Sequence, residues 1–333
     1  MYRHLKDTAL PGRTPGSKAL NKRGQRLRIV GKVNPNGRVG RSGSCCDRYT
    51  LLVVPADEAS PTPGSQWSAA FASADVDSMR VYDTIVARLF TPWAHDLIDR
   101  LAPTQGCAAL DIACGPGTVS HILAERIGRD GHVVATDISS AMLDIARSTS
   151  VAAGSASIEW LEAPATPLPV PDAAFDIVTC QQGLQFFPDK IGALAEMRRV
   201  LRSGGRAGVS VWTKVEDQLF GYLRDAIASV ISIELADRYL GPFLLSGEDA
   251  AEYARRAGFE NVHLERVTLP AVVHGGAQEL FDTLPASGIA PAIAALDEAE
   301  HADLLAETAR RTEALRDGDA LRSSLTASVL ILS

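Results

Sequence analysis

From about residue 68 onward the chain alternates short apolar runs with amphipathic stretches. The runs at 108–113, 132–137, 158–161, 175–180 and 207–212 have the length and composition of buried strands. Between them the spacing predicts helices over 118–127, over the turns after Ser139 or Ser140, where Met142, Ile145 and Ala146 form an apolar face, and over 189–201. Thr91-Pro92 predicts a cap and first-turn pair opening a helix that runs to Leu101, and Gly204-Gly205 predicts the stop of the 189–201 helix. Strands alternating with helices imply an α/β protein with a parallel, doubly wound sheet. The last third breaks the alternation: helices near 219–235 and 247–257, a strand at 262–269, helices near 277–284 and 290–315, and a closing strand at 325–332. A strand arriving after that crossover is expected to enter antiparallel at the sheet edge. The expected fold is therefore a seven-stranded, mostly parallel, Rossmann-like sheet with an antiparallel last strand and helical lid elements.

Residues 1–66 differ. They are rich in Gly, Pro, Ser and Arg and lack sustained periodicity, which predicts a mostly disordered extension with one short strand at 49–54. The globular domain is expected over 67–333, with a cofactor half at about 67–212 and substrate-pocket helices and edge strands at about 213–333. Charge follows the same division: residues 1–50 hold twelve Lys/Arg against two acids, so with a whole-chain charge of −7 the remainder carries −17. An acidic body argues against nucleic acid bound through the core, because neutralising phosphates takes basic surface. No apolar run approaches the roughly 20 residues of a membrane span. No apolar h-region follows Met1, and five irregularly spaced cysteines fit reduced thiols better than disulfides or a metal site. A cytoplasmic monomer or homodimer acting on a small molecule, without a metal, is the expectation.

Two strand ends carry the chemistry. The run Ala109-Leu-Asp-Ile-Ala-Cys-Gly-Pro-Gly117 puts Asp111 at a strand end, then Gly115 and Gly117, where a backbone without Cβ lets a ligand approach. Twenty-six residues after Asp111, the run His132-Val-Val-Ala-Thr-Asp137 ends in a second carboxylate, placed to meet a ribose diol. A nicotinamide-dependent dehydrogenase is the nearest rival. Its G-x-G-x-x-G turn wants a third glycine where this chain has Ser120, and Asp111 beside that turn would repel a pyrophosphate.

Four blocks, in order, resemble the class I S-adenosylmethionine-dependent methyltransferases, in particular the branch containing the ubiquinone/menaquinone-biosynthesis C-methyltransferases. They are 110–117, 134–139 with Met142, 167–178, and 196–206, and the similarity covers roughly 81–333. The resemblance implies S-adenosyl-L-methionine as cofactor. It implies that Asp111 orders the glycine loop and reaches the methionyl end, that the Ala113 carbonyl accepts from the ammonium group, and that Gly115 and Gly117 form the floor. Asp137 would hold both ribose hydroxyls through charge-assisted hydrogen bonds, and Ile138 and Met142 would flank the adenine, core packing being the other reading of Met142. Where relatives carry an aspartate for the adenine amino group, this chain has Pro164, leaving the N–H of Ala165 and, as a substitute carboxylate, Glu162.

The same resemblance places Tyr82 as a clamp over the cofactor carboxylate and Gln181 on the methionyl side. Gln185 faces the acceptor where relatives often carry histidine, with a purely structural role as its alternative. His95 is the candidate base among seven histidines, although a lone helical histidine is more often a surface or packing residue. Trp212, Phe220, Tyr222 and Phe243 would build the acceptor pocket. The implied reaction is methyl transfer to a carbon or oxygen of a small apolar or aromatic acceptor, in which alignment contributes more than a general base. Two alternatives remain: a non-catalytic scaffold that keeps the fold, and a non-methylating cyclase-type enzyme.

Overall fold

The computed structural model describes residues 19–20, 26–33, 50–55, 63–213 and 215–333, and it divides into two units, residues 1–61 and 62–333. In the first unit three antiparallel strands, β1 (Ala19–Leu20), β2 (Arg26–Val33) and β3 (Thr50–Pro55), pair in the order β1-β2-β3. β3 overlies the strand expected at 49–54. The disorder expected for residues 1–66 falls mainly on residues outside those described.

The second unit is built on one eight-stranded sheet. β4 (Ala108–Ile112), β5 (His132–Asp137), β6 (Ser157–Glu162), β7 (Phe175–Gln181) and β8 (Leu201–Trp212) run parallel, in the spatial order β8-β7-β4-β5-β6. Beyond β8 lies β11 (Ala320–Leu332), antiparallel, which also pairs with β9 (Val262–Val273) and with the two-residue β10 (Arg316–Asp317). The closing strand is antiparallel as expected, but it lies between β8 and β9 and not at the edge. Its thirteen residues give β9 a twelve-residue ladder from Leu332↔Val262 to Leu321↔Val273.

Among the described residues, twelve α-helices pack around this unit. They are α1 (Pro63–Ser73), α2 (Val76–Val81), α3 (Arg88–Leu101), α4 (Thr118–Ile127), α5 (Ser140–Ser148), α6 (Lys190–Val200), α7 (Leu219–Val230), α8 (Ile233–Leu240), α9 (Gly247–Arg256), α10 (Gly276–Phe281), α11 (Ala290–Ile293) and α12 (Glu298–Thr312). The core has two large layers, one on each sheet face. β4 shows why: Ala109 packs with Leu97, Leu101, Leu123 and Ile127, while Leu110 and Ile112 pack with Val178, Leu194 and Met197. A strand buried on both faces reads as a continuous apolar run, the signal that made it visible in the sequence.

Three expectations are corrected. Thr91-Pro92 does not open a helix. The chain is already helical from Val76, passes through a π-helical stretch at Tyr82–Ala87 and continues as α3, with Thr91 Oγ1 donating backwards to Ala87 O at 2.9 Å. The 189–201 helix ends at Val200 because Leu201 already turns extended, and Gly204 (φ +80°) sits inside an irregular start to β8, between the pairs Phe175↔Leu201 and Ile177↔Arg206. The single helix expected over 219–235 is two, because Ser232 caps a new one by accepting from the N–H of Leu235. Among the described residues no helix is long and apolar enough to cross a membrane.

Candidate active site

Strand polarity decides where a site can form. β4, β5, β6 and β7 all end at the same rim, and chain order reverses between β4 and β7, the crevice where open α/β sheets bind ligands. A cavity of about 400 Å³ opens there. Its wall takes Ala113 and Gly115 from the turn after β4, Asp137 and Ile138 from the end of β5, and Met142 from α5. Pro164 and Ala165 come from the turn after β6, Gln181, Gln182 and Gly183 from the end of β7, and Tyr82 from the π-helical stretch. Nine expected site residues (Tyr82, Ala113, Gly115, Asp137, Ile138, Met142, Ala165, Gln181 and, in a side recess, Asp111) thus come together. The recess, about 50 Å³, is lined by Asp111 and shares Tyr82, Ala113, Gly115 and Gln181 with the main cavity.

The two carboxylates hold the strand ends together. Asp137 accepts the N–H of Gly115 at 2.8 Å and that of Ser139 at 2.9 Å, while Ser139 Oγ caps α5 by accepting from Met142 N. Asp111 accepts hydroxyls from Ser120 of α4 at 2.6 Å and from Thr179 of β7 at 2.8 Å. Burial raises the pKa of both, and Asp111 reaches about 7 despite its two hydroxyl donors, with the nearby Asp137 charge adding to the rise. Burial also pushes the Tyr82 phenol up, helped by Asp137.

The two glycines part company. A Cβ built on Gly115 meets nothing within 4 Å and its φ is +54°, so its backbone faces open space. At Gly117 (φ +88°) a Cβ would lie 2.8 Å from Trp160 and 3.2 Å from Ala146. Gly117 does not line the cavity; it lets α4 start close against α5 and β6, which corrects its expected place in the floor. His95 is corrected too: it is exposed on α3 and absent from the walls of both the cavity and its recess. Glu162, the expected substitute carboxylate, is exposed at the end of β6 and outside the cavity wall, whereas Asp189 lies in that wall with Pro164 and Ala165.

A second, apolar hollow of about 40 Å³ adjoins the first and shares Phe71, Tyr82, Gln182 and Phe186 with it. Trp212, Phe220 and Phe243 line it as expected, Tyr222 does not, and Gln185 faces it. Gln185 is buried, with Oε1 accepting the backbone N–H of Trp212 at 3.3 Å. Sequence reasoning missed Trp67 and Phe71 of α1, Phe186 and Tyr239. Trp67 stacks on Phe186 (ring centroids 5.2 Å apart, planes 22°) and meets Phe243 edge-on at 5.3 Å. Only the bare aromatic content of 63–73 hinted at this lid.

A wall of buried carboxylates, an open glycine backbone and Gln181 Oε1, buried without a hydrogen-bond partner, suits a ligand that carries positive charge and N–H or O–H donors. S-adenosylmethionine, with its sulfonium, ammonium and ribose hydroxyls, fits that description. Comparison with known proteins decides the family. Residues 69–229 match the ubiE/COQ5 methyltransferase family. The ubiquinone/menaquinone biosynthesis C-methyltransferase UbiE of Brucella anthropi is 32% identical over 213 residues, covering 58% of this chain and 80% of that protein. The chain belongs to the ubiE/COQ5 methyltransferase family. It is an S-adenosylmethionine-dependent methyltransferase, and S-adenosyl-L-methionine is its cofactor. The demethylmenaquinone methyltransferase of Listeria monocytogenes is also 32% identical, over 152 residues, with 43% of this chain and 64% of that protein covered. Among solved structures, a Haemonchus contortus phosphoethanolamine N-methyltransferase in complex with S-adenosylhomocysteine is 13% identical with a TM-score of 0.49, covering 95% of this chain and 70% of that one.

Proposed function

We propose that the protein methylates a ring carbon of an uncharged, oxygen-bearing aromatic acceptor. The observation that carries this reading is the continuity of the two hollows through Phe71, Tyr82, Gln182 and Phe186. A cofactor site whose largely apolar wall carries the Asp137 carboxylate and the Gln181 and Gln182 amides opens directly onto an aromatic chamber in which no lining residue is charged. An ammonium or carboxylate acceptor entering that chamber would lose its hydration without a counter-charge, at a cost of several kcal/mol. A neutral ring would instead stack on Phe186, Phe243 and Trp212. The names of the Brucella and Listeria relatives point to the same acceptor class and, in the first case, to carbon.

In this reading Asp137 takes the ribose diol, Ile138 and Met142 flank the adenine, and the Ala165 backbone meets its edge. Gly115 and Ala113 let the main chain approach the methionyl group, Gln181 Oε1 accepts from it, and Asp111 sets the loop and the local charge. Tyr82, part of both walls, closes over the junction. Bound there, S-adenosylmethionine supplies a methyl group already activated by its sulfonium. The protein's share is alignment and exclusion of water; well-oriented partners can gain roughly 7–11 kcal/mol from positioning alone. Gln185, fixed by Trp212, holds the acceptor, and no histidine or lysine lines either hollow to act as base. A ring carbon made electron-rich by a neighbouring oxygen needs none for the attack itself: the C–CH₃ bond would form as the S–CH₃ bond breaks, leaving the thioether product, and the displaced ring proton would leave afterwards to solvent.

The test is product analysis. Purified protein incubated with S-adenosylmethionine and reduced 1,4-naphthoquinone, or a prenylated analogue, should give a product heavier by one CH₂, with the new methyl carbon bonded to ring carbon by NMR. Methylation at oxygen, or unaltered mass with a cofactor that binds, rejects the proposal.

A further inference from the structure

Besides Gln181 Oε1, three side chains in the walls of these hollows have buried polar atoms without a hydrogen-bond partner. Gln182, 5% exposed, has neither Oε1 nor Nε2 satisfied; Gln185 has Nε2 free; Trp212, fully buried, has Nε1 free. All three residues line the aromatic hollow, and Gln182 alone among them also lines the cofactor cavity. An unmet buried polar group is costly, and native proteins rarely keep several together without a use for them.

The backbone at Gln182 is arranged for the purpose. β7 ends at Gln181, and Gln182 then adopts φ +57°, a left-handed conformation unfavourable for a side chain that is not glycine. Its N–H donates to Ser210 O at 3.0 Å, which pins that turn to the end of β8. The next residue must be small: a Cβ on Gly183 would stand 2.8 Å from Ala113 Cβ and 2.9 Å from Cys180 Sγ. Strain of this kind concentrates where a side chain has to be aimed. Here it presents an amide to the junction of the two hollows.

What each of these three unpaired side chains can still offer follows from the bonds already made. Gln185 must direct Oε1 to the Trp212 N–H, so only its NH₂ remains to offer; Trp212 adds one indole N–H. Gln182 has both a carbonyl and an NH₂. The set therefore consists of N–H donors with a single carbonyl acceptor, all neutral. Its complement is an uncharged ring with two oxygens, one of which carries a hydrogen.

We propose that Gln182 is the specificity-determining residue for the acceptor, its Oε1 taking a ring hydroxyl beside the cofactor while the N–H groups of Gln185 and Trp212 receive a second ring oxygen. This rests on the acceptor reading above and adds that the oxygens, and not ring size or apolar bulk alone, select the substrate. A site built to pair such groups rejects an analogue lacking one, because its own amides are then stranded.

The experiment is a binding ratio, independent of turnover. With the full chain saturated by S-adenosylhomocysteine, calorimetry under anaerobic conditions compares 1,4-dihydroxynaphthalene with 1-naphthol. The wild type should bind the diol at least tenfold more tightly, and Gln182→Met should bring the two within about threefold. The ratio within one variant cancels any general loss of folding, and Gln182→Asn, which keeps a shorter amide, should recover part of the preference. Equal binding of the two by wild type, binding of neither, or a preference that survives in Gln182→Met overturns the inference. Discrimination by Gln182 without any methyl transfer would uphold it and reject the proposed reaction instead.

Discussion

Asp137, at the end of β5, accepts the backbone N–H of Gly115, in the turn after β4, at 2.8 Å. One carboxylate therefore both lines the cavity and fixes the loop that a ligand's methionyl group would approach. Replacing it has two separable consequences. Asp137→Ala should lower S-adenosylhomocysteine affinity by about 10–150-fold, the equivalent of roughly 1.5–3 kcal/mol for charge-assisted bonds. It should also lower the melting temperature, because the N–H groups of Gly115 and Ser139 lose their acceptor. Calorimetry for the first and thermal denaturation for the second check the pair; an Asp137→Ala protein that still binds the product at wild-type strength contradicts the site.

The glycines give a contrast within three residues. Gly115→Ala finds free space and pays only for its positive φ, about 1–2 kcal/mol, so stability should fall modestly while cofactor affinity falls sharply as the methyl enters the ligand's path. Gly117→Ala has the same backbone penalty plus a clash with Trp160 and Ala146, and its loss should be mainly of stability. Melting temperature and product affinity, measured on both variants, should rank them oppositely.

The carboxyl group of Asp111 has an ordinary pKa near 3.8, raised in the folded protein to about 7 chiefly by burial. Between those two values the folded state keeps a proton that the unfolded state has released, so this group's contribution to stability is full below pH ~4 and disappears as pH rises through 7. A cationic ligand favours the ionised form, so its affinity should move the other way and strengthen as pH rises across 7. Asp111→Asn should flatten both profiles. An S-adenosylmethionine-binding curve flat from pH 6 to 8 in the wild type would remove Asp111 from the cofactor's electrostatics.

The residues that form the cofactor rim were legible because their signals are local. β5 and α4 occupy the expected bounds, since an apolar run ending in Asp137 and a glycine turn followed by an amphipathic period need no distant partner to be recognised. What escaped depended on contacts far along the chain. Thr91-Pro92 has the chemistry of a helix start, yet α2 and the π-helical stretch already deliver a helix to it, packed through Met79 against Met142 and Ile145 of α5. The left-handed Gln182 follows an ordinary strand and precedes a Gly183 packed tightly between Ala113 and Cys180, an arrangement that no short window of sequence reveals. The interior place of β11 is likewise set by pairing with β8 on one side and β9 on the other.

α1 supplies the last prediction. The aromatic hollow is only about 40 Å³, room for a few waters, so admitting an aromatic ring is expected to move a wall. The candidate wall is α1: Trp67 covers the hollow, held by its stacking on Phe186 and by one hydrogen bond from Nε1 to Arg238 O at 3.3 Å. Gly288 makes that closure possible, because a Cβ there would lie 2.4 Å from the Trp67 ring, although Gly288 itself lines neither hollow. Gly288→Ala should therefore push Trp67 outward at a cost of about 1–3 kcal/mol of packing. Amide exchange across 63–73 should quicken, and the KM for an aromatic acceptor should rise several-fold, while S-adenosylhomocysteine affinity changes much less. Unchanged exchange in that segment would mean that the chamber opens elsewhere and that α1 is a fixed wall.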